Sequence, residues 1–424
     1  MKSKNRIFAF RICAGAVLNA MAATTAFMAL ALMLYNLTEK LNVPYSKLSL
    51  TYTFAYAGML IASLFGGKLI TKCGGRTAPV ISTCTVILVV LALTFSNSLI
   101  LIYIAALFYG FGQVLTFFYL NTMVVSWVGL GQSTVLGIGQ CFMTLGSAIL
   151  SPILASVING RGLTSAGILL GSIIAGVMVI STAFLCGELP EKYGMTSIDF
   201  GAKKSGDTSG VGYEIYQASM PSSRALRTPV FLAVAILGFL ISRGTNVYTA
   251  NQYPLLEYFG VDMVTASKLV SLGLICNAAG SVIIGWLNTK LGIRKGFLIP
   301  AVGVTVMFFV GFLIGGILGA VIIACSDICF TYSKIRQGVM FNSLFGNKVS
   351  PDLIAWDGIF VCIASMVAGP LAAYMAEELG SYQQVGFVAT GIFAVCVLIV
   401  LYITSDKTRE YVKKIDEPYR EQNA

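Results

Sequence analysis

Residues 67–76 read GKLITKCGGR, and residues 285–294 read GWLNTKLGIR. The two stretches share Gly, Leu, Thr, Lys, Gly and Arg at equivalent places, and the second begins 218 residues after the first in a chain of 424 residues. A second pair has the same offset: SAILSPILAS contains Pro152, and SMVAGPLAAY contains Pro370. Because half of the chain separates the members of each pair, the sequence predicts a duplicated unit.

The composition is typical of a membrane protein. Hydrophobic residues make up 57% of the chain and charged residues 11%, with a mean hydropathy of +0.83, whereas soluble domains carry about 25% charged residues. A spanning helix needs about 20 apolar residues, and the alternation expected of a barrel is absent from the sequence. We predict an all-α membrane protein with twelve transmembrane helices in two pseudo-symmetric six-helix bundles. The predicted spans are residues 9–36, 47–70, 78–97, 99–127, 134–158, 164–187, 228–257, 264–288, 295–316, 318–346, 353–378 and 382–404.

A stretch rich in Ser, Gly and charge interrupts the apolar pattern and predicts a linker. The predicted domains are an N-terminal bundle at 1–187, a cytoplasmic linker at 188–227, a C-terminal bundle at 228–405 and a cytoplasmic tail at 406–424. Pro152 and Pro370 are candidate hinges, because proline removes a helical hydrogen bond. Close helix packing at the neighbouring small residues is the alternative interpretation.

The net charge of +10 is unevenly distributed between the predicted loops. On one side of the membrane we place only Lys40, Lys47 and Arg161, and the other side receives the remaining loop cations. This asymmetry follows the positive-inside rule and predicts a multi-pass protein of the cell (inner) membrane with both termini in the cytoplasm. Because membrane topology accounts for the distribution of the positive charge, we expect no nucleic-acid partner.

Ten cysteines lie mostly within apolar spans, and the chain has no histidine. Single cysteines in apolar helices usually pack as small hydrophobic residues, and no spacing typical of a metal site is present. We therefore predict no metal and no cofactor. A catalytic set is also absent from the sequence, so we do not expect an enzyme.

The turn after the second predicted span fits the pattern G-x-L-x-D-x-x-G-x-R at Gly67, Leu69, Gly74 and Arg76, with Thr71 in place of Asp. This motif and the duplicated set of helices resemble those of the major facilitator superfamily, and the resemblance covers the whole chain. It implies a transporter with two helical bundles.

The resemblance also implies a cytoplasmic latch formed by Lys72 and Arg76, and by Arg294 in the second copy. Because the Asp of the motif is missing, we expect Asp357 or another acid as the partner. Enforcing topology is the alternative role for these cations.

Residues 110–139, GFGQVLTFFYLNTMVVSWVGLGQSTVLGIG, resemble a narrower branch, the oxalate/formate antiporters and monocarboxylate transporters. The matching residues are Gly110, Gly112, Tyr119, Asn121, Trp127 and Gly137. Gln132 and Ser133 replace the Arg-Gly of that branch. Ser281 and Ser365 stand where its members carry an Arg and a Lys, so oxalate itself is not the expected substrate.

Ionisable residues within spans are costly and normally face a cavity or each other. We expect Arg243 to bind the substrate, because a guanidinium matches a carboxylate; a structural pair with Asp327 or backbone carbonyls is the alternative. Asp327 is predicted to act in coupling or charge balance. Lys334 and Arg336 are predicted to form a gate or structural ion pairs.

Uncharged polar residues complete the predicted binding site. We expect hydrogen bonds to the ligand from Gln113, Tyr119, Asn121, Asn246 and Asn277. Packing within the bundle is the alternative for each of them, and the family match favours Tyr119.

These predictions converge on a secondary active transporter of a small organic anion, proton-coupled or working by anion exchange. We expect a monomer in the lipid bilayer, with the anion and a proton or counter-anion as partners. Efflux of amphipathic compounds, transport of a neutral or cationic solute through Asp327, and a receptor-like member without transport remain alternatives.

Overall fold

A computed structural model describes residues 2–73, 76–128, 132–195, 218–346 and 349–423. Helices dominate these residues. In chain order they are α1 Lys2–Leu41, α2 Tyr45–Cys73, α3 Thr77–Phe95, α4 Leu99–Trp127, α5 Gln132–Arg161, α6 Leu163–Ile180, α7 Ser222–Ala225, α8 Pro229–Ala250, α9 Gln252–Tyr258, α10 Met263–Ile314, α11 Gly316–Cys325, α12 Asp327–Phe330, α13 Tyr332–Phe345, α14 Ser350–Leu379, α15 Tyr382–Ile403 and α16 Asp406–Asn423.

Within the described residues, eleven helical stretches are long and apolar enough to cross a membrane. They correspond to eleven of the predicted spans, and the predicted second span lies within α2. Helices suit these apolar runs because each backbone amide finds its carbonyl partner within the same segment, which hydrocarbon requires. The predicted tail forms a helix of its own, α16.

The chain divides into two compact units. The first unit contains residues 1–206 together with 252–257 and 262–275, and the second contains residues 207–251, 258–261 and 276–424. Helices α1 to α6 belong to the first unit. Helices α8 and α11 to α16 belong to the second.

The second copy of the repeated motif forms a turn at its glycine. Gly292 has φ 76° and ψ 167°, a non-helical conformation within α10, and it lies near the junction of two membrane spans, Met263–Asn288 and Lys290–Ile314. A side chain is strained at this positive φ. The motif glycine therefore serves to reverse the chain direction between two spans.

The predicted seventh span is interrupted in the structure. The predicted seventh span, 228–257, ends as α8 at Ala250 and resumes as α9 at Gln252. Pro254 lies in the first turn of α9, where its missing N–H costs nothing in the new helix but prevents continuation from α8. Asn251 fills the break, donating its amide to the carbonyl oxygens of Val247 and Gly369 at 2.9 and 3.2 Å.

The predicted tenth span, 318–346, consists of α11, α12 and α13. Ser326 and Thr331 lie at the junctions of these segments and keep helical backbone angles, so the span is one slightly irregular helix. The Ser326 hydroxyl donates to the carbonyl of Ile323 at 2.6 Å, and the Thr331 hydroxyl donates to the carbonyl of Asn277 on α10 at 3.0 Å. Hydroxyls that bond to nearby carbonyls compete with the regular helical pattern. The tenth span carries Asp327 on α12 and Lys334 on α13.

Candidate functional site

Asn277 on α10 contacts the tenth span at three of its residues. Its side-chain amide donates to the backbone carbonyl of Asp327 at 3.2 Å, and its side-chain oxygen accepts a hydrogen bond from the Lys334 ammonium at 3.1 Å. With the Thr331 hydroxyl on its backbone carbonyl, Asn277 fixes α12 and α13 relative to α10. The structure thus brings Asn277, Asp327 and Lys334 together within the second unit.

Lys334 is accessible although it lies within a membrane span, and so is the half-buried Arg243. Among the described residues, neither cation lies within ion-pair distance of a carboxylate. The Arg243 guanidinium instead lies 5.8 Å from the ring centre of Phe239 on its own helix. Because a cation facing hydrocarbon is costly, we infer that both face open, hydrated space.

Arg336 reaches α8 beside Gly238, where an added Cβ would collide with its guanidinium. Arg243 follows Gly238 on α8 by about 7.5 Å of helical rise, and Lys334 precedes Arg336 on α13 by about 3 Å. The two cations are thus carried by helices that meet at Arg336.

Asp327 is buried, with 7% of its surface exposed. No cation lies within ion-pair distance of it in the described part of the chain, which removes the alternative in which Asp327 pairs with Arg243. Its side chain interacts electrostatically with Lys334 at longer range. A carboxylate in this position has a large desolvation cost when it is ionised.

Arg336 forms a buried structural pair. Its guanidinium donates to both carboxylate oxygens of Asp357 on α14, at 3.0 and 2.6 Å, and to the carbonyl of Val234 on α8 at 2.8 Å. Gln337 adds a bond to Asp357 at 2.7 Å. Arg336 therefore joins α13, α14 and α8. This arrangement corresponds to the structural ion pair that was the alternative to a gate for this residue.

The pairing also corrects the partner proposed for the cytoplasmic latch. Asp357 is fully buried and committed to Arg336 and Gln337, so it is not the acid that partners Lys72 or Arg76.

Asn246 joins α8 to α14 rather than standing free. Its amide donates to the carbonyl of Ser242 at 2.8 Å and to the hydroxyl of Ser365 at 3.1 Å. The polar pair therefore contributes to helix packing, and Asn246 keeps a half-buried position on the same helix as Arg243.

In the first unit, Tyr119 lies in packed protein. Its ring is completely buried, and its hydroxyl donates to the carbonyl of Gly187 at 3.0 Å and accepts from the amide of Gly187 at 2.8 Å. Both hydrogen-bonding functions of the hydroxyl are used by the chain that follows α6, which favours the packing alternative for Tyr119. Its contact with substrate stays a prediction.

Two more motif residues hold the same segment, residues 186–188. The Trp127 indole N–H donates to the carbonyl of Glu188 at 3.1 Å. The Arg76 side chain donates to the carbonyl of Cys186 at 3.2 Å, and its backbone amide donates to the Glu188 carboxylate at 3.3 Å. We call Arg76, Tyr119, Trp127 and residues 186–188 the terminal clamp.

Gln113 and Asn121 have contrasting positions on α4. Gln113 is buried with 4% of its surface exposed, and its side-chain oxygen has no hydrogen-bond partner in the described residues. Buried acceptors are nearly always satisfied, so this oxygen is suited to a ligand or a water molecule. Asn121 is exposed and bonds the Phe117 carbonyl of its own helix at 2.9 Å.

The remaining predicted residues are distributed as follows. The Lys72 side chain lies outside the described residues. Arg294 is exposed beyond the Gly292 turn. Pro152 lies inside α5 and Pro370 inside α14, and their role as hinges stays a prediction.

Two features of the structure escaped prediction from sequence. The first is the pairing of Asp357 with Arg336. The signal available in the sequence was the position of Asp357, an acid inside a predicted span. The terminal clamp was also missed, because backbone groups of residues 186–188 are its acceptors and carry no signal in the sequence.

Comparison with known proteins gives a match to the family model described as the Major Facilitator Superfamily, over residues 12–347. A search of curated proteins finds no match. The matched region includes the repeated motif in both copies and every residue of the cluster around Asn277.

Proposed function

The chain belongs to the Major Facilitator Superfamily, and from this premise we propose that it is a secondary active transporter for a small organic anion of the monocarboxylate type. Alternating access would expose a binding site near the middle of the membrane to each side in turn. The site would be built around Arg243 and Lys334.

The observation that carries the proposal is the pair of accessible cations, Arg243 and Lys334, on membrane spans of the second unit and without a carboxylate partner in the described residues. Permanently unpaired cations in a membrane are expensive. An anionic ligand offsets this cost while it is bound. Lys334 retains donors for a ligand, because an ammonium has three N–H groups and Asn277 accepts only one.

Asp327 supports proton coupling. It is buried on the same span as Lys334, seven residues earlier in the chain. A proton taken up by Asp327 removes its attraction for Lys334 and leaves that cation free for the substrate. Release of the proton restores the attraction and favours release of the anion. Exchange of one anion for another is the alternative that does not use Asp327.

The first test is ligand-induced thermal stabilisation of the purified protein with monocarboxylates, dicarboxylates, aromatic acids and neutral solutes, since a ligand stabilises the state that it binds. We expect stabilisation by an anion. Arg243→Gln and Lys334→Gln should each weaken its apparent affinity by about tenfold or more, as expected for a hydrogen bond to a charged group. Lys295→Gln, which removes an exposed cation outside the site, is the matched control. Unchanged affinity in both site variants would refute the proposal.

Asn277→Ala offers a subtler test of the same site. The variant keeps both cations but removes the acceptor that orients Lys334. Apparent anion affinity should fall by a smaller factor than in Lys334→Gln. Counterflow of labelled anion in liposomes then separates a carrier from a receptor-like protein, which would bind without flux.

Transport of an amphipathic cation is the second candidate. The buried carboxylate of Asp327 favours it, because no cation of the described residues lies within ion-pair distance. The same screen extended to organic cations distinguishes the two. Stabilisation by cations that disappears in Asp327→Asn, with no response to anions, would establish this alternative.

A further inference from the structure

A groove of about 250 Å³ runs between α3 and α6 in the first unit. Its walls are apolar and include Val90, Leu91 and Ile168. The helices touch at one end, where a side chain at Gly167 would collide with Thr94. Further along, Gly171 has no side chain, and this keeps the groove open. A Cβ at Gly171 would lie 3.3 Å from Val90 and would narrow the groove.

The groove opens on the outer surface of the helices. Leu91 is 50% exposed, Phe95 57% and Ile168 51%. Both helices belong to membrane-spanning stretches, Thr77–Phe95 and Leu163–Leu185. In a membrane, such a surface is covered by lipid hydrocarbon. An acyl chain is therefore the occupant that matches the groove.

A cation is fixed at the closed end of this groove. The Lys40 ammonium donates to the carbonyl of Thr94 at 3.3 Å, and Thr94 lines the groove. The side chain of Lys40 is exposed, so two of its three N–H groups remain for an external acceptor. Arg161, also exposed, ends α5 just before α6 begins at the same end. The acid beside them, Glu39, is exposed and offsets part of this charge.

We propose that the α3–α6 groove is a binding site for an anionic phospholipid. One acyl chain lies between Val90 and Ile168, and the headgroup phosphate bonds to Lys40. Arg161 adds attraction for the headgroup. A phosphate suits this position because a lysine near a membrane surface attracts anionic lipid. The site is separate from the residues assigned to substrate.

The test is native mass spectrometry of delipidated, full-length protein titrated with phosphatidylglycerol or phosphatidylcholine. We expect phosphatidylglycerol to bind about fivefold more tightly, the typical effect of one lysine at the surface. Lys40→Gln should reduce phosphatidylglycerol binding to the level of phosphatidylcholine. Lys47→Gln is the matched control, because Lys47 is an exposed cation at the start of α2, away from the groove. Equal binding of the two lipids, or an unchanged affinity in Lys40→Gln, overturns the proposal.

A second pair of variants tests the acyl chain. Ala175 lines the groove, and Ala175→Phe should fill it and weaken binding of both lipids. Val179→Phe adds a ring one turn further along the exposed face and should leave binding unchanged. Ser172→Phe fills the groove independently should the first variant fold poorly. Wild-type binding in both groove variants would show that lipid lies elsewhere.

Discussion

The guanidinium of Arg336 and the carboxylate of Asp357 meet in a two-bonded pair of which at most 1% is exposed. Removing one partner of a buried pair leaves the other charge unsatisfied in the interior. Asp357→Ala should therefore lower the free energy of unfolding by about 3–5 kcal/mol, measured as thermal unfolding in lipid nanodiscs.

The double variant Arg336→Met with Asp357→Leu is the control for this prediction. It removes both charges together, and we expect it to recover much of the lost stability, because replacing a whole buried pair with apolar side chains is often neutral. An Asp357→Ala protein as stable as the wild type would contradict the structural role.

Asp327→Asn should separate binding from coupling. The amide cannot exchange a proton, so accumulation driven by a pH gradient should be abolished, while counterflow of labelled anion continues. Glu257→Gln removes an exposed acid and should retain both activities. Accumulation that persists in Asp327→Asn would assign coupling to another group or to anion exchange.

Tyr119→Phe should affect stability and spare substrate affinity. Without the hydroxyl, the amide and the carbonyl of Gly187 lose a buried partner, which costs about 1–3 kcal/mol for an unsatisfied group. Thermal unfolding measures the loss, and ligand-induced stabilisation measures affinity. Tyr103→Phe, whose hydroxyl bonds the Lys47 carbonyl at an exposed site, is the control. A selective loss of affinity in Tyr119→Phe would restore this residue to the binding site.

Asp262 provides a pH-dependent contribution to stability. Its carboxylate accepts from the amides of Val264 and Thr265 at 3.1 and 3.0 Å, at the start of α10. The side chain of Thr265, together with these amides, holds the pKa of Asp262 below 3.8. A lowered pKa in the folded state stabilises the protein above the unfolded value, and this stabilisation is lost as the pH falls through the folded value.

The difference in melting temperature between wild type and Asp262→Ala should therefore be constant above about pH 5 and shrink at lower pH. Asp262→Asn keeps a capping oxygen without a charge, so its stability relative to Asp262→Ala should not follow this pH dependence. A difference between wild type and Asp262→Ala that is independent of pH would show that the carboxylate makes no such contribution.

The spans and the family were accessible from sequence because they depend on local apolar runs and on a repeated motif. Gly292 illustrates this: the motif glycine is where the chain reverses between two spans. The break at Asn251 was less accessible. Hydrogen bonds from its polar side chain stabilise this break, and the length of the apolar run gives no signal of it.

The roles of individual polar residues were harder to predict. Tyr119 and Asn121 are close in sequence, yet one is completely buried and the other exposed. In a helix that is apolar on every side, the hydrophobic pattern does not indicate which face meets protein. The partner of Arg336 lies 21 residues away on another helix, a relationship that only the packed bundle defines.

The contacts of Asn277 have a mechanical consequence. Asp327 and Lys334 lie seven residues apart on one span, and Ser326 and Thr331 keep helical backbone angles within it. About 10.5 Å of helical rise therefore separates the backbones of the acid and the base. Thr331 and Lys334 are both bonded to Asn277 on α10, so a tilt of this rod carries acid and base together. Their mutual attraction is then changed by protonation rather than by distance.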